Sequence, residues 1–361
     1  MKVIFAGGGT GGHVFPAIAI ADEVKKLDPA AEILFVGTQE KIESRLVPQK
    51  GYQFQTIWIS GFRRTLSLSN ILFPLKVLVS LLQSFVLMKS EKPNVVVGTG
   101  GYVCGPVLYI ASLLGIPTVI QEQNSLPGVT TRLLSPRATE VHLMFESALR
   151  YLKRSDNVRL TGNPTREILG SISRAKALDH FGFLGSKKTL LVLGGSLGAL
   201  SINNAVTGCL KELGNAGIQI IWQTGETDFD RIKSLTAEYS GAKVYKFIES
   251  MEYAYAAADL VLCRAGAITI AELTRLGVPT VFIPYPYAAA NHQVENAKAI
   301  VNAKAAEMIM DHEADRKTCG VVLGLIQDDA RLHAMHENSL MLGKPAAAKE
   351  IAQSVIALGH R

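Results

Sequence analysis

Twice in this chain a short, wholly apolar run breaks straight into a glycine turn and then into a helical pattern. The first instance is KVIFAGGGTGGH from Lys2, and the second is TLLVLGGSLGA from Thr189. A continuous run of Val, Ile and Leu suits a parallel strand covered on both faces, and a glycine turn feeding a helix is the first step of a βαβ unit. The same alternation runs from end to end. It predicts strands over Val3–Ala6, Ile33–Gly37, Gln53–Ile57, Val95–Gly98, Thr118–Gln121 and Glu140–Leu143. A second series follows over Leu190–Leu193, Gln219–Gln223, Lys243–Phe247, Leu260–Cys263, Thr280–Ile283 and Ala306–Met310. Helical patterns separate the strands, so the expected fold is α/β with doubly wound parallel sheets.

Two such series in 361 residues imply two domains. Gly162-Asn163-Pro164 punctuates the chain between them. The expected division is therefore 1–161 and 162–343, with a C-terminal helix within 344–361 returning to the first domain.

Composition excludes several classes. Hydrophobic residues make up 48% and charged residues 19%, which suits a packed globular chain and not a disordered one. The net charge of +6 is modest and scattered, with no basic stripe interleaved with aromatics, so no nucleic-acid partner is expected. A phosphorylated substrate or an anionic lipid surface suits this charge better. Cys104, Cys209, Cys263 and Cys319 are too dispersed for a metal site and point to a reducing compartment. Met1-Lys2 leads directly into the first strand, with no apolar leader in between.

The stretch Ile71–Met88 places Leu75, Leu78, Val79, Leu82, Phe85 and Val86 on one helical face and Lys76, Ser80 and Gln83 on the other. Pro74, Lys76, Ser80, Gln83 and Ser84 make it a poor membrane span. It reads either as a helix packed on a sheet or as a helix lying on a membrane surface, with Arg63, Arg64 and Lys89 beside it.

The turn Gly7–His13 offers backbone N–H groups at a helix start, where the helix dipole favours phosphate. Gly194–Gly198 repeats the arrangement and adds the Ser196 hydroxyl. Gly7, Gly9 and Gly12 match G-x-G-x-x-G by spacing. A dinucleotide site also needs an acid at the end of the next strand, and that strand ends Val36-Gly37-Thr38-Gln39. A nicotinamide or flavin cofactor is therefore not expected. Asp228-Phe229-Asp230 has the form of a metal-binding D-x-D, but Thr227-Asp228 reads as a helix N-cap. Asp311–Asp315 reads as a charged helix start. No metal is expected.

Seven stretches, in order, resemble the MurG family, the bacterial UDP-N-acetylglucosamine:lipid I N-acetylglucosaminyltransferases. They are GGGTGGH at Gly7–His13, GGYVCGP at Gly100–Pro106, EQN at Glu122–Asn124, GNPTR at Gly162–Arg166, GGSLGA at Gly194–Ala199, RAGAITIAEL at Arg264–Leu273 and NHQVENA at Asn291–Ala297. The resemblance implies a GT-B fold, two Rossmann-like domains separated by a deep cleft. It implies an inverting, metal-independent transfer of N-acetylglucosamine from UDP-N-acetylglucosamine to the C4 hydroxyl of the N-acetylmuramyl unit of lipid I, giving lipid II for peptidoglycan. It also implies a peripheral seat on the cytoplasmic face of the bacterial inner membrane, which favours the surface reading of Ile71–Met88. A UDP-N-acetylglucosamine 2-epimerase, or a transferase with another acceptor, is the alternative on the same fold. A dinucleotide-dependent oxidoreductase and a non-enzymatic membrane adaptor are more distant alternatives.

The resemblance also assigns roles. Arg166 and Ser196 would hold the diphosphate, Glu272 the ribose and Ile248 the uracil. Ala267, Ile268, Thr269, Ile270 and Ala271 would line the donor, and Asn124 and Gln293 would bond the sugar. Thr10, Gly11 and Gly12 belong to the acceptor loop. His13 is the candidate base and equally a capping or positioning residue, and Glu122 is a weaker candidate base. Many family members carry His where this chain has Gln121, and His with an acid where it has Tyr287-Ala288-Ala289-Ala290.

Overall fold

The structure is a computed structural model that describes residues 1–61, 72–195 and 197–360. It divides into two compact units, Met1–Thr165 with Lys344–Arg361, and Arg166–Gly343.

The first unit is built on seven parallel strands: β1 (Lys2–Ala6), β2 (Glu32–Gly37), β3 (Gln53–Thr56), β4 (Val95–Gly98), β5 (Thr118–Glu122), β6 (Glu140–Leu143) and β7 (Val158–Leu160). Their order is β3-β2-β1-β4-β5-β6-β7. Register pairs Val3 with Ile33 on one side and Val95 on the other. Successive side chains leave opposite faces of a strand, and here both faces are apolar. Ile4, Ala6, Leu34, Val36, Val96 and Ile120 form one core. Val3, Phe5, Ile33, Phe35, Val95, Val97 and Val119 form the other. That double burial is why these strands read as unbroken apolar runs. β7 escaped the sequence pattern because it is a three-residue edge strand whose last two side chains, Arg159 and Leu160, are exposed.

The second core is closed by two helices. Gly11–Leu27 contributes Val14, Ile18, Ile20 and Val24, and the C-terminal Ala347–Gly359 contributes Ile351, Ala352, Val355 and Leu358. The Ser354 hydroxyl of the C-terminal helix donates to Glu140 Oε2 at 2.7 Å. Glu140 is held down at about 2, first by the His142 ring 3.3 Å away and then by Ser354 and Arg159. Folding therefore favours its ionised form. This contribution is complete above the ordinary carboxylate value of 4.5 and is lost as pH falls towards about 2. In thermal unfolding followed against pH, Glu140→Gln should flatten the acid limb of the midpoint. An unchanged limb would assign acid unfolding to other carboxylates.

The second unit has six parallel strands: β8 (Thr189–Leu193), β9 (Gln219–Gln223), β10 (Ala242–Tyr245), β11 (Leu260–Cys263), β12 (Thr280–Phe282) and β13 (Ala306–Met308). Their order is β10-β9-β8-β11-β12-β13. Leu190, Val192, Ile220, Trp222, Leu260, Leu262 and Val281 supply its main core. The buried Trp222 indole donates to Asn203 Oδ1 at 3.0 Å, so its one polar atom is satisfied. Both units are thus Rossmann-like doubly wound sheets.

The helix Phe73–Glu91 turns the wrong way for a core helix. Its buried positions are Ser80, Ser84, Leu87 and Met88, and it packs on the helix Cys104–Leu113. Ser80 and Ser84 bond the backbone within their own helix, to the carbonyls of Val77 and Ser80, which lets small side chains sit inward without unpaired hydroxyls. The apolar stripe faces out, with Leu78 65% and Leu82 64% exposed beside Leu75, Phe85 and Val86. Packing of that stripe on a sheet is thereby corrected. Arg63, Arg64 and Ile71 lie outside the described residues.

Candidate functional site

In the first unit the turn after β1 is locked into three neighbours. Gly9 has φ +91° and its N–H donates to Glu43 Oε2 at 3.0 Å. Glu43 is fully buried, and its other oxygen accepts from the Thr38 N–H and hydroxyl. An acid does therefore follow β2, but it is spent bracing the glycine turn and is not turned towards a ribose. Sequence reading missed Glu43 because it stands past the strand end, at the start of the helix Glu43–Gln49. Gly101, at φ +83°, would drive a Cβ to 2.4 Å from the Gly8 carbonyl, so the GGYVCGP turn needs glycine to lie against the first one.

Thr10 caps the helix Gly11–Leu27 by position, with no side-chain cap bond, and Thr10 and Gly12 are exposed. His13 is half-buried. Its Nδ1 lies 3.0 Å from the Thr99 carbonyl and 3.0 Å from Gln123 Oε1. Among the described residues its Nε2 has no hydrogen-bond partner. The structure thus joins the GGGTGGH and EQN stretches through Gln123, a residue that sequence reading passed over. Glu122 differs from His13. Its Oε1 accepts from the Asn124 N–H at 3.0 Å and the Asn124 side-chain amide at 3.3 Å. Its Oε2 accepts from the Gly128 N–H at 3.0 Å and the Thr131 hydroxyl at 2.7 Å. A buried carboxylate with both oxygens filled braces the loop that carries Asn124 and offers no open lone pair to a substrate proton.

In the second unit the turn after β8 is equally tight. Gly195 and Gly198 have φ +85° and +81°, and a Cβ on Gly198 would fall 2.0 Å from the Thr224 carbonyl. Ser196 lies outside the described residues. Gln223, at the end of β9, was also missed. Its amide nitrogen donates to the Gly195 carbonyl at 2.9 Å, and its oxygen accepts from the Ile248 N–H at 2.8 Å. One buried amide therefore ties the glycine turn to the Ile248 segment.

Glu272 is buried in the helix Ala267–Leu276. Its Oε1 accepts from Arg166 Nε at 3.0 Å and its Oε2 from the Tyr255 hydroxyl at 3.0 Å. Burial, and then the Glu272 charge, push the Tyr255 phenol well above its ordinary value, so it remains a donor. The Arg166 Nη groups make no hydrogen bond among the described residues and remain able to meet an anion. Ile268 and Thr269 are half-buried in the first turn of this helix. Ala267 and Ala271 are buried. Ile270 is fully buried and its N–H is taken by the Gly266 carbonyl, which leaves it nothing for a ligand. Gln293 Oε1 accepts from the Tyr285 N–H at 2.9 Å, and its amide nitrogen is unpartnered among the described residues.

The first carboxylate of the D-x-D is committed elsewhere. Asp228 occupies the N-cap of Phe229–Leu235 without capping it, and accepts from Asn203 at 2.7 Å and from Arg231. Asp311 pairs with Arg264 at 2.5 Å and accepts from Ser201.

Comparison with known proteins matches the glycosyltransferase family 28 N-terminal domain to residues 3–143 and its C-terminal domain to residues 189–355. The chain is 48% identical, over 99% of each chain, to the UDP-N-acetylglucosamine--N-acetylmuramyl-(pentapeptide) pyrophosphoryl-undecaprenol N-acetylglucosamine transferase of Chlorobaculum parvum. It is 44% identical to the transferase of the same name from Christiangramia forsetii, over 98% of this chain and 97% of that one. The crystal structure of Acinetobacter baumannii MurG superposes with a TM-score of 0.81 at 28% identity, over 99% of each chain. A UDP-GlcNAc 2-epimerase from Neisseria meningitidis shares the fold at 15% identity, with a TM-score of 0.70 over 99% of this chain and all of that one.

Proposed function

This chain belongs to glycosyltransferase family 28 and is an N-acetylglucosamine transferase acting on the N-acetylmuramyl-pentapeptide pyrophosphoryl-undecaprenol acceptor, and we propose that it works by a single inverting displacement that needs no metal. The observation that carries the transferase reading is identity of 48% running through both units to a relative of that name, against 15% for the epimerase that shares the fold.

The chemistry divides between the units. In the first, His13 Nε2 accepts the proton of the acceptor C4 hydroxyl as that oxygen attacks the anomeric carbon. In the second, the bond from the anomeric carbon to the β-phosphate oxygen breaks and UDP leaves. The charge it gains meets the Arg166 guanidinium, the Ser196 hydroxyl and the N–H groups in the first turn of the helix Ala267–Leu276, including Ile268 and Thr269. Glu272 accepts from the ribose hydroxyls, the Ile248 segment lies against uracil, and Asn124 and Gln293 bond the sugar. Thr10, Gly11 and Gly12 receive the acceptor diphosphate. No divalent cation is required, because guanidinium, hydroxyl and main-chain donors supply the positive charge and Asp228 is already bonded to Asn203 and Arg231. The deciding assay supplies labelled UDP-N-acetylglucosamine and a lipid I analogue, with and without EDTA. Label should reach the lipid in both cases. Label that stays on nucleotide as an epimerised sugar would overturn the transferase, and loss of transfer with chelator would overturn metal independence.

The acceptor's polyprenyl chain resides in a bilayer, so the enzyme must work at one. The outward stripe of Phe73–Glu91, with Lys89 stacked 5.7 Å over Phe85, supports a peripheral seat on the inner membrane's cytoplasmic face. Leu78→Asp with Leu82→Asp alters only exposed side chains and should cut co-sedimentation with vesicles containing anionic phospholipid by about tenfold or more, since two buried leucines are worth roughly 1.5–3 kcal/mol each. Undiminished binding would move the membrane contact elsewhere.

A further inference from the structure

The first unit holds a row of buried side-chain amides that ends on the candidate base. Gln121, Gln123 and Asn163 are all buried, and none of them titrates. An amide cannot tell a neighbour which way it points unless something fixes it, and here main-chain carbonyls fix both ends. At one end the Asn163 amide nitrogen donates to the Gln123 carbonyl at 3.3 Å, so Asn163 Oδ1 faces Gln121 and accepts from its Nε2 at 2.8 Å. Gln121 Oε1 is thereby turned towards Gln123 and accepts from its Nε2. At the other end the same Gln123 nitrogen donates to the Thr99 carbonyl at 2.7 Å. Both constraints agree, and they leave Gln123 Oε1 as the atom presented to His13.

Two oxygens that can only accept therefore stand 3.0 Å from His13 Nδ1, the Thr99 carbonyl and Gln123 Oε1. A ring nitrogen between two such acceptors must carry the proton. In a neutral imidazole the lone pair then belongs to Nε2, the atom that has no partner among the described residues. The His13 backbone is held as well, since the Thr99 hydroxyl donates to the His13 carbonyl at 2.8 Å. We propose that Gln123 is a positioning residue for the transfer reaction, holding His13 in its Nδ1–H tautomer and aiming Nε2 at the acceptor hydroxyl, with Gln121 and Asn163 bracing it from behind. The inference rests on His13 being the base. It also accounts for Gln121, because an amide can donate to Asn163 and accept from Gln123 at once, and it does so at any pH.

The test uses the full chain labelled with 15N-histidine. The His13 signal is identified by its loss in His13→Gln. The expected result is that the neutral ring carries its proton on Nδ1, with Nε2 unprotonated. A neutral ring with its proton on Nε2 overturns the proposal without any variant being needed. Kinetics then test Gln123→Met, which removes the acceptor that faces Nδ1. The Met variant should lose about tenfold in kcat with the KM for UDP-N-acetylglucosamine within about twofold of wild type, and its His13 should lose the Nδ1–H preference in the same spectra. Wild-type kcat in the Met variant, or an unchanged His13 tautomer there, overturns it. His13→Ala run alongside separates the two readings. If it retains full activity, the base assignment has failed. If it is inactive while Gln123→Met is unimpaired, only the role of Gln123 has failed.

Discussion

His13→Ala should lower kcat for lipid I glycosylation by about 10²-fold or more, with little change in the KM for UDP-N-acetylglucosamine. The acceptor hydroxyl is a poor nucleophile until its proton has somewhere to go. In the first unit the Glu122 carboxylate is filled by four donors, whereas the His13 imidazole has its Nδ1 anchored and its Nε2 without a hydrogen-bond partner among the described residues. In the proposed mechanism His13 acts on the acceptor hydroxyl and holds no part of the donor, so the donor KM should be spared. A loss below tenfold would leave His13 a positioning group and return the search for a base to the acceptor side. Circular dichroism would check that the turn survives, since the Thr99 hydroxyl bonds the His13 backbone and that bond remains in the variant.

Glu272→Ala should act on the opposite parameter, raising the donor KM by about ten- to a hundredfold. Loss of hydrogen bonds to a charged acceptor costs roughly 1.5–3 kcal/mol, and each 1.4 kcal/mol is a factor of ten. A stability loss should accompany it, because the Tyr255 hydroxyl, buried with Glu272 as its acceptor, would be left unsatisfied at a cost of about 1–3 kcal/mol. The Arg166 contribution is smaller, since that side chain is 45% exposed and water screens it. Tyr255→Phe separates the two effects: it removes the buried donor but keeps the carboxylate. Donor titrations and thermal midpoints of both variants provide the check. An unchanged donor KM in Glu272→Ala would remove Glu272 from the nucleotide site.

Much of this molecule is legible in one dimension. Parallel strands covered on both faces must be apolar throughout, so VIFA, ILFV and VVV announce themselves, and glycine turns that press on a neighbouring backbone cannot be anything else. Motifs such as GGGTGGH and GGSLGA mark backbone sites, and backbone sites survive in sequence as glycine. The side chains that brace those turns are less visible. Glu43, Gln123, Gln223 and Tyr255 are ordinary residues at strand ends and helix starts, and only their partners make them notable. Asp228 shows the reverse failure, for its position reads as a cap while its carboxylate turns to Asn203 and Arg231.

What the chain alone determined was local: the alternation of strand and helix, the paired glycine turns, and the family. The tertiary structure decided which way the elements face and what completes them. It turned Ser80 and Ser84 of Phe73–Glu91 inward, because two small self-bonded hydroxyls let the helix pack closely on Cys104–Leu113, and left Leu75, Leu78 and Leu82 facing out. It brought the C-terminal helix to Glu140 across 214 residues and Gln123 to His13 across 110. No periodicity encodes contacts at such separations; they exist only once the sheet has set its strand order, because only then do residues distant in the chain share a hydrogen bond.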